Sequence, residues 1–176
     1  MIYIFGDSFS AWQSGWPDYI SGKTFGSRGS SEYRIWRSYQ ENRHVISQDD
    51  RVIFCHTHYS RVFLKDSVKS MKSRLIDTHR YCDILFGDVN DKADEFVEVL
   101  EKIWDDEYFV YQYEKILEDC RSIPNSTHIT FFPKLAKKYN IINMSNIYNS
   151  NKGERWQNHM TLQGNKIVAK ELINVF

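Results

Sequence analysis

Short apolar runs, each closed by a polar or glycine-bearing turn, alternate along the chain with stretches in which apolar residues recur every three or four positions. Ile2-Tyr3-Ile4-Phe5, stopping at Gly6, has the profile of a buried parallel strand. Gly6-Asp7-Ser8 reads as a turn, and the pattern predicts a helix from Phe9 to Ile20 that Pro17 interrupts. Thr24 to Ser27 forms a short second strand running out into an Arg28-Gly29-Ser30-Ser31 loop. From Glu32 to about His44 the spacing predicts a helix that buries Ile35, Trp36 and Tyr39. Asp49-Asp50 is a turn, and Arg51 to Cys55 after it is the clearest internal strand.

The middle of the chain is less regular. Lys65 to Tyr81 is polar and weakly amphipathic. Phe96, Leu100, Ile103 and Trp104 then step in threes and fours along a helix from about Asp91. After Asp105-Asp106-Glu107, the residues Val110, Tyr113, Ile116, Leu117 and Cys120 continue the pattern, as one kinked helix or two stacked ones. Thr127 to Phe132 reads as a strand closed by Pro133, and Tyr139 to Met144 as the last strand. Thr161 caps a final helix whose buried stripe is Ile167, Val168, Leu172 and Ile173. Strands alternating with helices predict an α/β fold, a parallel sheet covered on both faces. Neither an internal repeat nor a low-complexity segment interrupts it.

A length of 176 residues fits one domain, 1–176, with a sizeable two-sided core. Acidic and basic residues cancel at 23 each, which removes the global basic field of a non-specific nucleic-acid binder. The Lys65 to Arg74 cluster interleaves with polar residues and reads as a solvated helix face. Cys55, Cys82 and Cys120 are odd in number and widely spaced, so reduced thiols are expected rather than a disulfide framework or zinc site. No apolar run nears the roughly 20 residues that span a bilayer. With a strand at the very start and no leader, a cytoplasmic protein is expected, with no membrane and no nucleic acid among its partners. Aromatic residues, at 15%, are plentiful enough to line a groove as well as a core.

Candidate chemistry gathers where strands end. In an open parallel sheet, ligands bind beyond the carboxyl ends of the strands. Gly6-Asp7-Ser8, Arg28-Gly29-Ser30-Ser31 and His56-Thr57-His58 follow predicted strands, and Asn158-His159 lies in the loop before the last helix. A serine at a strand-to-helix turn presents its hydroxyl while helix amides face developing negative charge. It needs a base to take its proton, and imidazole suits that task near neutral pH. Ser8 and His159 are the candidate pair; a helix cap and an ordinary histidine are the bland alternatives.

Gly6-Asp7-Ser8-Phe9-Ser10, Arg28-Gly29-Ser30-Ser31 and His159-Met160-Thr161-Leu162-Gln163-Gly164-Asn165, in that order, resemble three of the motif blocks of the SGNH, or GDSL-like, hydrolases. The resemblance implies a flavodoxin-like three-layer α/β/α sandwich with about five parallel strands. It also implies acyl or acetyl ester hydrolysis without a metal or other cofactor, on a small-molecule or carbohydrate-like ester. Ser8 would attack the carbonyl, the amides of Ser8 and Gly29 would hold the oxyanion, and His159 would shuttle the proton. Asp7 and Ser31 fall within the same blocks.

The chain departs from the family pattern twice. Trp156 stands where the family has the Asp three residues before its histidine, leaving a Ser-His dyad oriented by a backbone carbonyl or by Glu154. The family's third block is replaced by Cys55-His56-Thr57-His58-Tyr59-Ser60-Arg61, which lacks the Asn of the oxyanion hole. Thr57 or His58 are candidates for that donor, and Arg61 for an anionic substrate group. Two further readings stand beside the esterase: a non-catalytic domain that keeps the pocket for binding or assembly, and a metal hydrolase. The metal reading rests on His56 and His58, which an H-x-H spacing on a strand would put on one face.

Overall fold

The computed structural model of the protein describes residues 1–11, 15–27, 29–62, 84–85, 102, 105–153 and 160–175. Its centre is a five-stranded sheet of β1 (Ile2–Gly6), β2 (Lys23–Thr24), β3 (Arg51–His56), β6 (Ser126–Thr130) and β7 (Ile142–Asn143). The spatial order is β2-β1-β3-β6-β7, and every pairing is parallel. Two short antiparallel strands, β4 (Arg61–Val62) and β5 (Ile84–Leu85), pair apart from it.

Alternation along the strands divides the core between the two faces. Ile4, Ile53, Cys55 and Ile129 pack with Trp16, Val168, Ala169 and Leu172 on one side. Tyr3, Phe5, Val52 and Phe54 pack with Ile35 and Cys120 on the other. These partners come from a 3-10 turn (Trp16–Tyr19) and α5 (Leu162–Val175) on the first face, and from α1 (Glu32–Asn42) and α2 (Asp106–Arg121) on the second. Successive strand residues point oppositely, so a strand covered on both faces is apolar on both, as β1 is from Ile2 to Phe5 and β3 from Val52 to Cys55. The fold is an α/β/α sandwich around a five-stranded parallel sheet.

The helices begin where the sequence supplies caps. Ser31 Oγ accepts the Arg34 N–H at the start of α1, and the Asp105 side chain accepts the Tyr108 N–H at the start of α2. Asp105 thus opens a new helix at the acidic step; the Asp91 to Trp104 segment lies outside the described residues except Lys102. Residues 7–10 form a turn instead of opening a helix, and among the described residues the next regular element is the 3-10 turn at Trp16–Tyr19. Strand two is shorter than predicted, although Phe25 and Ser27 N–H still donate to the Ile4 and Gly6 carbonyls along the β1 edge.

Two short helices carry no long apolar period and escape the sequence pattern: α3 (Pro133–Tyr139) and α4 (Ser145–Ser150). Pro133 starts α3 rather than merely closing β6, because its fixed φ suits a first helical turn. Tyr139 ends that helix, Asn140 takes a left-handed conformation with φ 51°, and β7 is therefore only two residues long. In α5 the buried stripe is Val168, Ala169 and Leu172, with Ile173 turned to solvent. Among the described residues no helix is long and apolar enough to cross a membrane.

Candidate active site

In this strand order the direction of winding reverses between β1 and β3, so a crevice opens beyond their carboxyl ends. Ser8 follows β1 there and Thr57 follows β3, the two strands being in register with Gly6 opposite Cys55. The turn carrying Ser8 is closed by the Ser10 N–H donating to the Asp7 carbonyl at 3.1 Å and by the Ser10 hydroxyl at 3.0 Å. Gly6 is required beneath it: a Cβ there would lie 2.2 Å from Ser10 Oγ and 2.6 Å from the Cys55 Cβ. Phe9 anchors the far side, its ring stacked on Phe131 with centroids 4.4 Å apart. Ser8 itself is half-buried.

Asp7 is 1% exposed and fully engaged. One carboxylate oxygen accepts the Phe9 N–H at 3.0 Å, the other the Thr57 hydroxyl at 3.0 Å. Burial pushes the Asp7 pKa above its ordinary value, against the opposing pull of the Arg61 charge. Gly29 sits in the second loop with φ 67°, a conformation that disfavours any side chain. Ser31, two residues on, is buried and caps α1.

After β3 the chain turns tightly, with the Arg61 N–H donating to the His58 carbonyl at 3.1 Å. Thr57 has both donors committed, its hydroxyl to Asp7 and its N–H to Glu32 Oε2 at 3.1 Å. It braces Asp7 and has no donor left for a ligand. His58 is different. Its Nδ1 accepts the Ser60 N–H at 3.2 Å, which in the neutral ring puts the proton on Nε2. Burial, then the Arg61 and Lys134 charges, lowers its pKa and favours that neutral form. The ring packs against Tyr59 and Phe132, and Phe132 meets Phe9 beside Ser8. Arg61 Nε is buried and has no hydrogen-bond partner among the described residues.

His56 and His58 face different surroundings. His56 ends β3, 1% exposed, with Nδ1 2.6 Å from Glu32 Oε1 and Nε2 2.8 Å from His128 Nδ1. Among the described residues no three His, Cys, Asp or Glu side chains are grouped to hold a metal ion. Glu32 and His128 are neighbours of the site that sequence reading passed over. The signal for His128 is its register, opposite Phe54 and diagonal to His56 on the same sheet face.

His159, Glu154, Trp156 and Arg28 lie outside the described residues. The ends of the His159 loop are described. Lys152 and Met160 form an isolated antiparallel bridge, and the Thr161 N–H donates to the Asn151 carbonyl at 2.7 Å. Buried Asn165 donates its amide to the Met160 and Thr161 carbonyls, and Thr161 Oγ1 accepts the Gly164 N–H as the cap of α5.

No protein-family model matches the chain, and no curated protein matches it. Among solved structures it is similar to the crystal structure of a member of the lipolytic protein G-D-S-L family from Veillonella parvula. The TM-score is 0.51 at 12% sequence identity, over 99% of this chain and 97% of that one. The likeness is one of fold.

Proposed function

We propose that the chain is a serine hydrolase of the GDSL type, cleaving an O-acyl or O-acetyl ester of a polar or carbohydrate-like substrate. The observation that carries this reading is the Ser8 turn. It stands at the crevice of a doubly wound sheet, pinned from below by Asp7, in the same fold as a protein described as lipolytic. In this mechanism Ser8 Oγ attacks the carbonyl carbon as His159 takes the hydroxyl proton. The amides of Ser8 and Gly29 hold the oxyanion. The alcohol leaves with the proton from His159, and water repeats the sequence on the acyl-enzyme to release the acid.

His58 supplies a further donor in this reading, the Nε2–H of its neutral ring, in place of the absent Asn. Arg61 supplies a cation for an anionic part of the substrate; its unpartnered Nε favours that role. Groups at a cleft whose pKa values are displaced, here Asp7 upward and His58 downward, both first by burial, accord with a functional site.

A fluorophosphonate probe and p-nitrophenyl acetate test the proposal. The protein is expected to be labelled at Ser8 and to hydrolyse the ester, with Ser8→Ala and His159→Ala each losing at least about a thousandfold in kcat. Absence of both labelling and turnover in the wild type would overturn it and favour a domain that binds without catalysis.

A further inference from the structure

Beneath the Ser8 turn runs a line of buried and half-buried polar groups that ester hydrolysis does not itself require. Glu32, 4% exposed at the first position of α1, contacts His56 through one oxygen and receives the Thr57 N–H on the other. His56 and His128 stack with centroids 5.1 Å apart and planes 11° from parallel, their nitrogens 2.8 Å apart. His128 Nε2 lies 2.9 Å from Ser126 Oγ, and Ser126 donates to the Ile123 carbonyl at 2.7 Å.

That last bond gives the whole line its direction. The single hydroxyl proton of Ser126 goes to Ile123, so Ser126 Oγ receives the N–H of His128 Nε2. A neutral His128 then has a bare Nδ1, which accepts the N–H of His56 Nε2. The remaining proton is shared between His56 Nδ1 and Glu32. Glu32 in turn holds the Thr57 N–H, Thr57 donates its hydroxyl to Asp7, and Asp7 holds the Phe9 N–H. The hydrogen bonds are continuous from Ile123 to the residue after Ser8.

We infer that Glu32 and His56 are positioning residues, whose hydrogen-bonded line through Thr57 and Asp7 fixes the Ser8 turn and so the direction of the Ser8 hydroxyl. The inference rests on the reading of Ser8 as nucleophile. A buried polar line is a poor choice for stability alone, since apolar residues of like volume usually serve as well or better. What it provides is geometry: each member is satisfied on both sides, so the turn has one setting. A misplacement of about 1 Å at a reacting group is enough to lower a rate about a hundredfold.

The test measures kcat and KM for p-nitrophenyl acetate, and the rate of fluorophosphonate labelling at Ser8. Thr57→Val keeps the N–H bond to Glu32 and removes the hydroxyl bond to Asp7. It is expected to lower kcat and the labelling rate about ten- to a hundredfold with KM within about twofold. Thr57→Ser should restore both. Glu32→Ala should behave like Thr57→Val, and Glu32→Gln should rescue it, its amide donating to His56 Nδ1 while its carbonyl accepts from Thr57. Should Glu32→Ala fail to fold, the near-isosteric Thr57 pair decides the matter. A Thr57→Val protein with wild-type kcat and labelling rate overturns the inference and leaves the Ser8 reading standing. A wild type that is never labelled at Ser8 overturns both.

Discussion

Asp7, which is buried, and His128, which is half-buried, belong to the same polar line, and they respond to pH in opposite senses. Burial holds the Asp7 pKa above its ordinary 3.8. Stability from its protonated form is therefore complete below that value and is lost as pH rises through the folded-state pKa. Asp7→Asn should match the wild type most nearly at low pH. Its melting temperature should gain on the wild type as pH rises; a gap moving the other way would count against this account. For His128, burial first, then the charges of His56 and Arg121, lowers the pKa from 6.5 to about 3. Across that window the unfolded chain binds a proton the fold refuses, so stability falls as pH drops from 6.5 toward 3. In thermal melts, the wild type's advantage over His128→Gln should narrow on acidification from about pH 7 to about pH 4. At this scale the sequence marks Asp7, Ser8 and His58 because each ends a legible strand. It does not mark Glu32, which reads as an ordinary helix start, nor His128, which reads as one polar residue in a strand. Their partnership comes from the β3–β6 pairing and the docking of α1, neither of which leaves a local trace.

Elements with a strong period are legible at their true positions; those without one are not. Ile2–Gly6 and Arg51–His56 are readable because both faces of each strand are buried. The Pro133–Tyr139 and Ser145–Ser150 helices are too short for a 3.6-residue period to repeat. In α5 the sequence offers several apolar residues, and their angular position relative to the sheet decides among them. Leu172 is fully buried while Ile173 is 51% exposed, although both belong to the predicted stripe. Leu172→Ala should cost about 2–5 kcal/mol in chemical denaturation. Ile173→Ala should stay within about 0.5 kcal/mol. Equal losses at the two positions would mean that α5 sits on the sheet in another rotation.

Across the whole molecule, strand order does what no single motif can. Placing β1 and β3 at the centre of the sheet, with β2 and β7 at its edges, brings residues 50 positions apart, Asp7 and Thr57, within a hydrogen bond of each other. The order is deducible in outline from the alternation of strands and helices, but the register that seats Thr57 beside Asp7 is a product of packing. The same order predicts a gradient of protection in native-state hydrogen exchange. Amides of β1, β3 and β6 should be slowest, and those of two-residue β2 and β7 should exchange earlier through local opening. Protection in β7 equal to that in β3 would show that the edge does not open separately.

The bridge between Lys152 and Met160, with the Thr161-to-Asn151 hydrogen bond beside it, closes a neck around the seven residues 153–159, which include His159. A loop whose ends already meet is a cassette. Its contents can be exchanged, lengthened or shortened at little further entropic expense, while α5 below the neck keeps its register on the sheet. Divergence in what such a protein acts on would then be concentrated between positions 152 and 160. An engineer wishing to retune its specificity would begin by replacing residues 153–158, keeping His159 and leaving the sandwich untouched.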